Sequence, residues 1–217
     1  MNQQPTEEQL LQIAEQLSHP SGDDGIKTAD QMHFSNIGMT RSTIAALALV
    51  ADDIVLELGH GNGKHIAEIS NKTERITYHG LEISELMSAE AKKNNCNENV
   101  SFTLYDGEKI PFDSNYFHKI LTVNTLYFWK NPIQLLNEIY RVLKPGGKFC
   151  LTIAQKDFME KLPFTKFIFE LYDIAKVEKL IQASHFKNME FKEHIEQLAY
   201  KDGQSIERAY AVISLKK

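Results

Sequence analysis

The 217-residue chain has little cysteine, proline or tryptophan: two, six and one residues respectively. Cys96 and Cys150 supply neither a disulfide framework nor a four-thiolate zinc site, and free thiols suit a reducing compartment. So few prolines, with only 11 glycines, exclude collagen-like and low-complexity chains. Long apolar runs are also missing. The longest, Ile44 to Ala51, falls far short of the ~20 residues that span a bilayer. The first residues, Met1 to Glu8, are polar and acidic, where a secretory or transit peptide is basic and then apolar. A cytoplasmic protein with no membrane insertion is expected. Net charge is −5, and it is uneven: 11 basic against 19 acidic side chains before residue 144, and 13 against 10 from there on. The lysines of the second part are scattered. Phosphate backbones demand clustered Lys and Arg, so no nucleic-acid partner is expected. No internal repeat is present, which removes solenoids and propellers.

What is present is ordinary globular composition, 42% hydrophobic and 24% charged, in a regular alternation of short β-rich runs and helix-patterned stretches. Strands are expected at Ile54–Leu58, Ile76–Ile83, Val100–Tyr105, Lys119–Asn124 and Lys148–Ile153. Ser84 is placed to cap a helix to Asn94, and Asp173 one to Ala183. Asn131 followed by Pro132 opens a helix whose Leu135, Leu136, Ile139, Tyr140, Val142 and Leu143 share one face. Arg141 and Lys144 complement its C-terminal dipole, and Pro145-Gly146-Gly147 stops it. Met189–Ala199 and Ile206–Leu215, joined through Tyr200 to Ser205, read as an antiparallel pair closing the sheet. Strands alternating with helices predict an α/β, doubly wound parallel sheet. Residues 1–217 read as one domain. Residues 1–50 form a helical cap with a turn at Ser21-Gly22-Asp23-Asp24-Gly25, and residues 155–185 form an insertion on the substrate side.

Chemistry begins at Glu57-Leu58-Gly59-His60-Gly61-Asn62-Gly63, between the first strand and first helix, where open α/β sheets bind ligands. Glycines admit positive φ and close approach of a ligand to the backbone. A dinucleotide fingerprint needs its third glycine one residue later, at Lys64, and no phosphate loop follows, since Lys64 precedes His65. At the next strand end Glu82 can accept both hydroxyls of a ribose. At the third, Asp106 of Tyr105-Asp106-Gly107-Glu108 can accept from an exocyclic amine such as that of adenine.

The run Glu57-x-Gly59-x-Gly61-x-Gly63, the acid Glu82, Asp106-Gly107-Glu108-Lys109-Ile110-Pro111-Phe112 and Arg141-Val142-Leu143-Lys144-Pro145-Gly146-Gly147 together resemble the class I S-adenosylmethionine-dependent methyltransferases. The branch they look most like includes the ubiquinone/menaquinone-biosynthesis C-methyltransferases. The resemblance spans about residues 53–153 and implies a seven-stranded Rossmann-like sheet with only its last strand antiparallel. It also implies S-adenosyl-L-methionine as cofactor. Gly59, Gly61 and Gly63, with His60 and Asn62 between them, would lie under the methionine part, oriented by Glu57. Glu82 would take the ribose, and Ile83 would pack on adenine. Asp106, Gly107 and Glu108 would meet the adenine edge, and Asn124 would approach the methionine moiety.

His60, His118 and His185 depart from the family pattern. His60 lies on the cofactor turn, where it could shift local charge. His185 stands where glycine is usual, a position the left-handed conformation would explain. Methyl transfer from a sulfonium needs alignment and desolvation more than a nucleophile, and no nucleophile–base pair is evident. Thr125 and Leu126 replace the two prolines that follow such an Asn in enzymes acting on base or glutamine amines, and two cysteines are too few for arsenite. Tyr127, Phe128 and Trp129, with the aromatics of the insertion, could line an apolar acceptor pocket. Tyr127, Trp129 and Phe34 are the substrate-side candidates. Asp30 to Thr40 would be either a lid, with Gly38 near a hinge, or a docking helix. A small-molecule acceptor is therefore expected. An RNA or protein acceptor, a nicotinamide oxidoreductase and a non-catalytic cofactor-binding module remain as alternatives.

Overall fold

The computed structural model describes residues 4–199 and 205–217. Two helices, α1 (Glu7–Ser18) and α2 (Gly22–Leu47), precede β1 (Ile54–Leu58) and α3 (Ile66–Ser70). Then come β2 (Thr77–Glu82), α4 (Glu85–Asn94), β3 (Val100–Leu104), β4 (Phe117–Val123) and α5 (Pro132–Val142). The chain continues through β5 (Leu143–Ala154), α6 (Lys156–Met159), α7 (Ile174–Ala183), β6 (Met189–Ala199) and β7 (Ser205–Lys216). The strands form a seven-stranded sheet in the order β3-β2-β1-β4-β5-β7-β6. β1 pairs in parallel with β2 and β4, as β2 does with β3 and β4 with β5. β7 slots between β5 and β6, antiparallel to both. The expected antiparallel pair is thus present, with the later strand on the inside. Its connection at 200–204 lies outside the described residues.

Local signals explain most boundaries. The Ser84 hydroxyl accepts from Met87 N and the Asp173 carboxylate from Lys176 N, each satisfying a free first-turn donor. Two expectations need correction. Ser21–Gly25 is no turn: Gly22 to Gly25 form the first turn of α2. Gly25 is buried, and a side chain there would meet Leu86 and the Pro20 backbone at 2.9 Å. Nor does Pro145-Gly146-Gly147 stop α5, which ends at Val142 with Leu143 already extended. Arg141 turns to Glu138 and the Ile110 and Phe112 carbonyls, while Lys144 reaches His118.

The core lies on both sheet faces. Ile44 and Leu47 of α2 pack with Ile66 and Ile69 of α3 on Val55, Tyr78, Leu121 and Cys150. On the other face Leu135, Leu136 and Ile139 of α5, and Val177 and Ile181 of α7, join Leu56, Ile120, Phe149 and Ile213. Helix α2 packs its last turns on the sheet through Ile44 and Leu47, and its first turn lies against Leu86 of α4. None of the helices among the described residues is long and apolar enough to cross a membrane.

Candidate functional site

Four parallel strands end beside one another, and the segments leaving them carry the expected residues. Leaving β1, Gly59, Gly61 and Gly63 all have positive φ, at 73°, 57° and 69°. A side chain at Gly59 would strike Thr125, and one at Gly63 would strike Ala91 and Asn95. At Gly61, by contrast, it would meet nothing within 4 Å. The turn therefore packs closely beneath and is open above its middle residue, a cradle that a ligand can approach.

Glu82, at the end of β2, fastens this turn. Its Oε2 accepts from Gly61 N at 3.0 Å, and its Oε1 accepts from the amides of Ile83 and Ser84 at 2.8 and 3.1 Å. Ile83 is 38% exposed, and its Cγ2 faces Gly107, leaving an apolar ledge between the ends of β2 and β3. Asp106 folds into a local turn, its Oδ1 accepting from the amides of Glu108 and Lys109. These backbone donors, Lys109 first, hold its carboxyl below the ordinary range. Glu108 reaches Asn131 at 3.3 Å. Asn124 ends β4 with φ at 57°. Its Oδ1 accepts from Ala154 N and the Tyr127 hydroxyl, and its Nδ2 points at the Met39 sulfur of α2.

Beneath the turn is a network the sequence reading missed. Glu57, 2% exposed, accepts from His65 Nε2 at 3.0 and 2.9 Å and from the Tyr78 hydroxyl at 2.6 Å. Burial alone would raise the Glu57 carboxyl, but the His65 charge and hydrogen bonds from His65 and Tyr78 hold it below its usual value. Burial likewise opposes the His65 imidazolium, and the charge and hydrogen bond of Glu57 overcome it, so His65 binds its proton more tightly than a free histidine. The only sequence trace of this network was a histidine interrupting the phosphate-loop pattern.

His60 lies on the same turn, and its ring tucks under it, 4.8 Å from Phe102 and against Gly80. Its Nδ1 bonds Gly61 O, and its buried Nε2 has no partner. Burial outweighs Glu82 and Glu57 and lowers its proton affinity. Asn62 bonds Asp30 of α2, which also accepts from Lys64, and His33 of α2 stacks over His65 at 6.4 Å. Helix α2 thus covers this part of the site.

The substrate-side candidates are dispersed. Tyr127 is 3% exposed and sits in the core, its hydroxyl donating to Ala154 O and Asn124. Trp129 is half-buried, its Nε1 donating to Thr125. Phe34 is 74% exposed on α2. Phe169 of the insertion packs on Tyr127, Phe128 and Phe164 in tilted or edge-on contacts, and Phe158 and Tyr172 are buried. These aromatics largely pack on themselves. His118 accepts from Ile54 N, and His185 has no left-handed backbone. A groove of about 930 Å³ runs elsewhere, along α5 by Lys130, Ile133, Tyr140 and His185, and includes none of the expected site residues.

Residues 56–151 match the family described as methyltransferase domain. An uncharacterized methyltransferase of Bacillus subtilis, YdaC, is 27% identical over 126 residues, covering 58% of this chain and 70% of that protein. The ubiquinone/menaquinone biosynthesis C-methyltransferase UbiE of Desulfotalea psychrophila is 32% identical over 130 residues, 59% of this chain and 52% of its own length. The chain thus spans about half of that relative. Among solved structures, phosphoethanolamine N-methyltransferase 2 of Haemonchus contortus superposes with a TM-score of 0.71 over 94% of this chain and 60% of that one. At 14% identity the likeness is one of fold. The stretch that matches the methyltransferase domain, residues 56–151, holds the glycine turn and the acids at the ends of β2 and β3.

Proposed function

We propose that this chain transfers a methyl group from S-adenosylmethionine to a small-molecule acceptor, and that residues 1–217 act as one methyltransferase domain. The open face of Gly61, directly tied to the Glu82 carboxylate, carries the reading. Gly59 to Gly63, with His60 and Asn62, would receive the methionine portion, and Glu57 would support the turn from below. Beyond its three amide bonds Glu82 keeps one acceptor site, on Oε2, for a ribose hydroxyl. The Ile83–Gly107 ledge would take the adenine face, and Asp106 with Glu108 its edge. Asn124 would flank the methionine end. When bound, the sulfonium supplies an activated methyl group and a neutral leaving group. The chain's own task is to fix the two reactants in line and keep water out, for which α2 over the turn is well placed. A small acceptor is supported by the acidic balance of the residues before 144.

Calorimetric titration with S-adenosylmethionine, S-adenosylhomocysteine and NAD in parallel tests the cofactor assignment. Both adenosyl compounds should bind and NAD should not. Gly61→Val, which fills the open face at a positive φ, should abolish binding in a folded protein, and Asp106→Ala should weaken it about tenfold. Unaltered binding by Gly61→Val would overturn the placement.

A further inference from the structure

We infer that His65 is a charge-setting partner of the cofactor turn: hydrogen-bonded to Glu57 beneath it, His65 decides whether the pair is neutral or negative, and so how strongly the site favours a cationic sulfonium over its uncharged thioether product. The inference rests on the cofactor assignment above and adds to it a residue outside the glycine pattern.

The geometry fixes which nitrogen matters. A carboxylate only accepts, so Nε2, held by both Glu57 oxygens at 3.0 and 2.9 Å, carries hydrogen in either state. The proton that comes and goes is on Nδ1. With it the pair is neutral; without it Glu57 stands as an uncompensated negative charge two residues before Gly59. The Tyr78 hydroxyl of β2 keeps Glu57 bonded in both cases.

Other charges facing His65 do not imitate the effect. Glu68 of α3 is tied by Arg41 of α2 through three contacts of 2.8–3.1 Å. Lys64 is tied to Asp30. His33, stacked from α2, loses proton affinity to burial and then to the His65 and Lys64 charges. His60 loses it to burial. Both are therefore neutral over a range where His65, its affinity raised, still holds its proton. The transition falls above the ordinary histidine value.

The test measures dissociation constants of S-adenosylmethionine and S-adenosylhomocysteine between about pH 6 and 9, for the unaltered protein and His65→Gln. Gln keeps an N–H for Glu57 and never titrates. Both ligands carry the same amino and carboxylate groups, so their own titration largely cancels in the ratio. In the unaltered protein the preference for the sulfonium should rise about three- to tenfold across the range, the scale of one unit charge screened over several ångströms. In His65→Gln it should stay flat. A flat ratio in the unaltered protein, or the same rise in the variant, overturns the inference while leaving the cofactor assignment standing. A folded protein that binds neither ligand overturns both. Should the variant not fold, the unaltered protein decides alone. Titration in two buffers of different ionisation enthalpy should show more proton release with the sulfonium than with the thioether, as linkage requires. Equal release is the contrary result.

Discussion

His60 and Gly80 show how far a single side chain can constrain a neighbouring strand. The His60 ring fills the space where a side chain at Gly80 would stand, and a Cβ there would lie 2.5 Å from the His60 Cδ2. Gly80→Ala should therefore destabilise the protein by about 1–3 kcal/mol, the usual cost of overpacking. His60→Ala in the same chain should recover most of that loss in chemical denaturation; additive losses would contradict the contact. The same position shows why the residue scale was only partly legible. A histidine on the cofactor turn read as able to shift local charge, yet its ring is buried below the turn and its Nε2 is unpartnered. His65, two places past the last glycine, is the one whose proton affinity Glu57 raises against the cost of burial. Spacing motifs identify residues whose backbone must adopt a given shape, whereas the His65–Glu57 pair depends on which way two side chains point after α3 has packed on β1.

At the scale of elements, capping and periodicity were reliable wherever the local signal was also the stabilising one, as at Ser84 and Asp173. They failed where packing decided. Gly and Asp are turn formers, and so Ser21 to Gly25 read as a break; buried against α4, Gly25 instead lets α2 start early. Gly38 likewise lies within α2, with Glu196 beside it. The helix is a continuous 26 residues, packed through Ile44 and Leu47 at its end, against α4 at Gly25 and tied to Arg208 at Ser35 and Asn36. We propose that Asp30 to Thr40 is a lid held by the Asp30 contacts to Asn62 and Lys64 and by Arg208 on Ser35 and Asn36. Amide exchange in this segment should slow at least several-fold when S-adenosylhomocysteine binds, and Asp30→Ala should speed it in the free protein. Identical exchange in the free and bound protein would leave α2 as a fixed docking helix.

The whole molecule followed from alternation of strand and helix, together with the family resemblance, because a parallel sheet with crossover helices has few alternative arrangements. What pattern could not deliver was the joining of distant parts. Arg208, 4% exposed on β7, meets Glu196 of β6, Asn36 Oδ1 and the Ser35 carbonyl of α2. Nothing in the sequence marks an arginine in the last strand as a tie to the first residues of the fold. Removing one member of a buried pair is costly, so Arg208→Ala should lower stability by about 3 kcal/mol. Replacing Arg208 by Met and Glu196 by Gln together should cost less than the two single changes combined, as read by thermal unfolding. Acceptor specificity belongs to this scale as well. The aromatics expected to line its pocket are largely spent on packing one another, Phe169 against Tyr127 and Phe128 in the turn after β4.

The position of β7 has a bearing on how such a chain is made. It is the last of the seven strands to leave the ribosome, yet it takes a place inside the sheet, with β5 on one side and β6 on the other. Until it arrives β6 has no neighbour, and β5 presents an unpaired edge of apolar residues from Phe149 to Ile153. The nascent protein therefore carries an open seam from the completion of β5 until β7 emerges, and any pause in that interval prolongs the time in which another strand, from this chain or a foreign one, can occupy the gap.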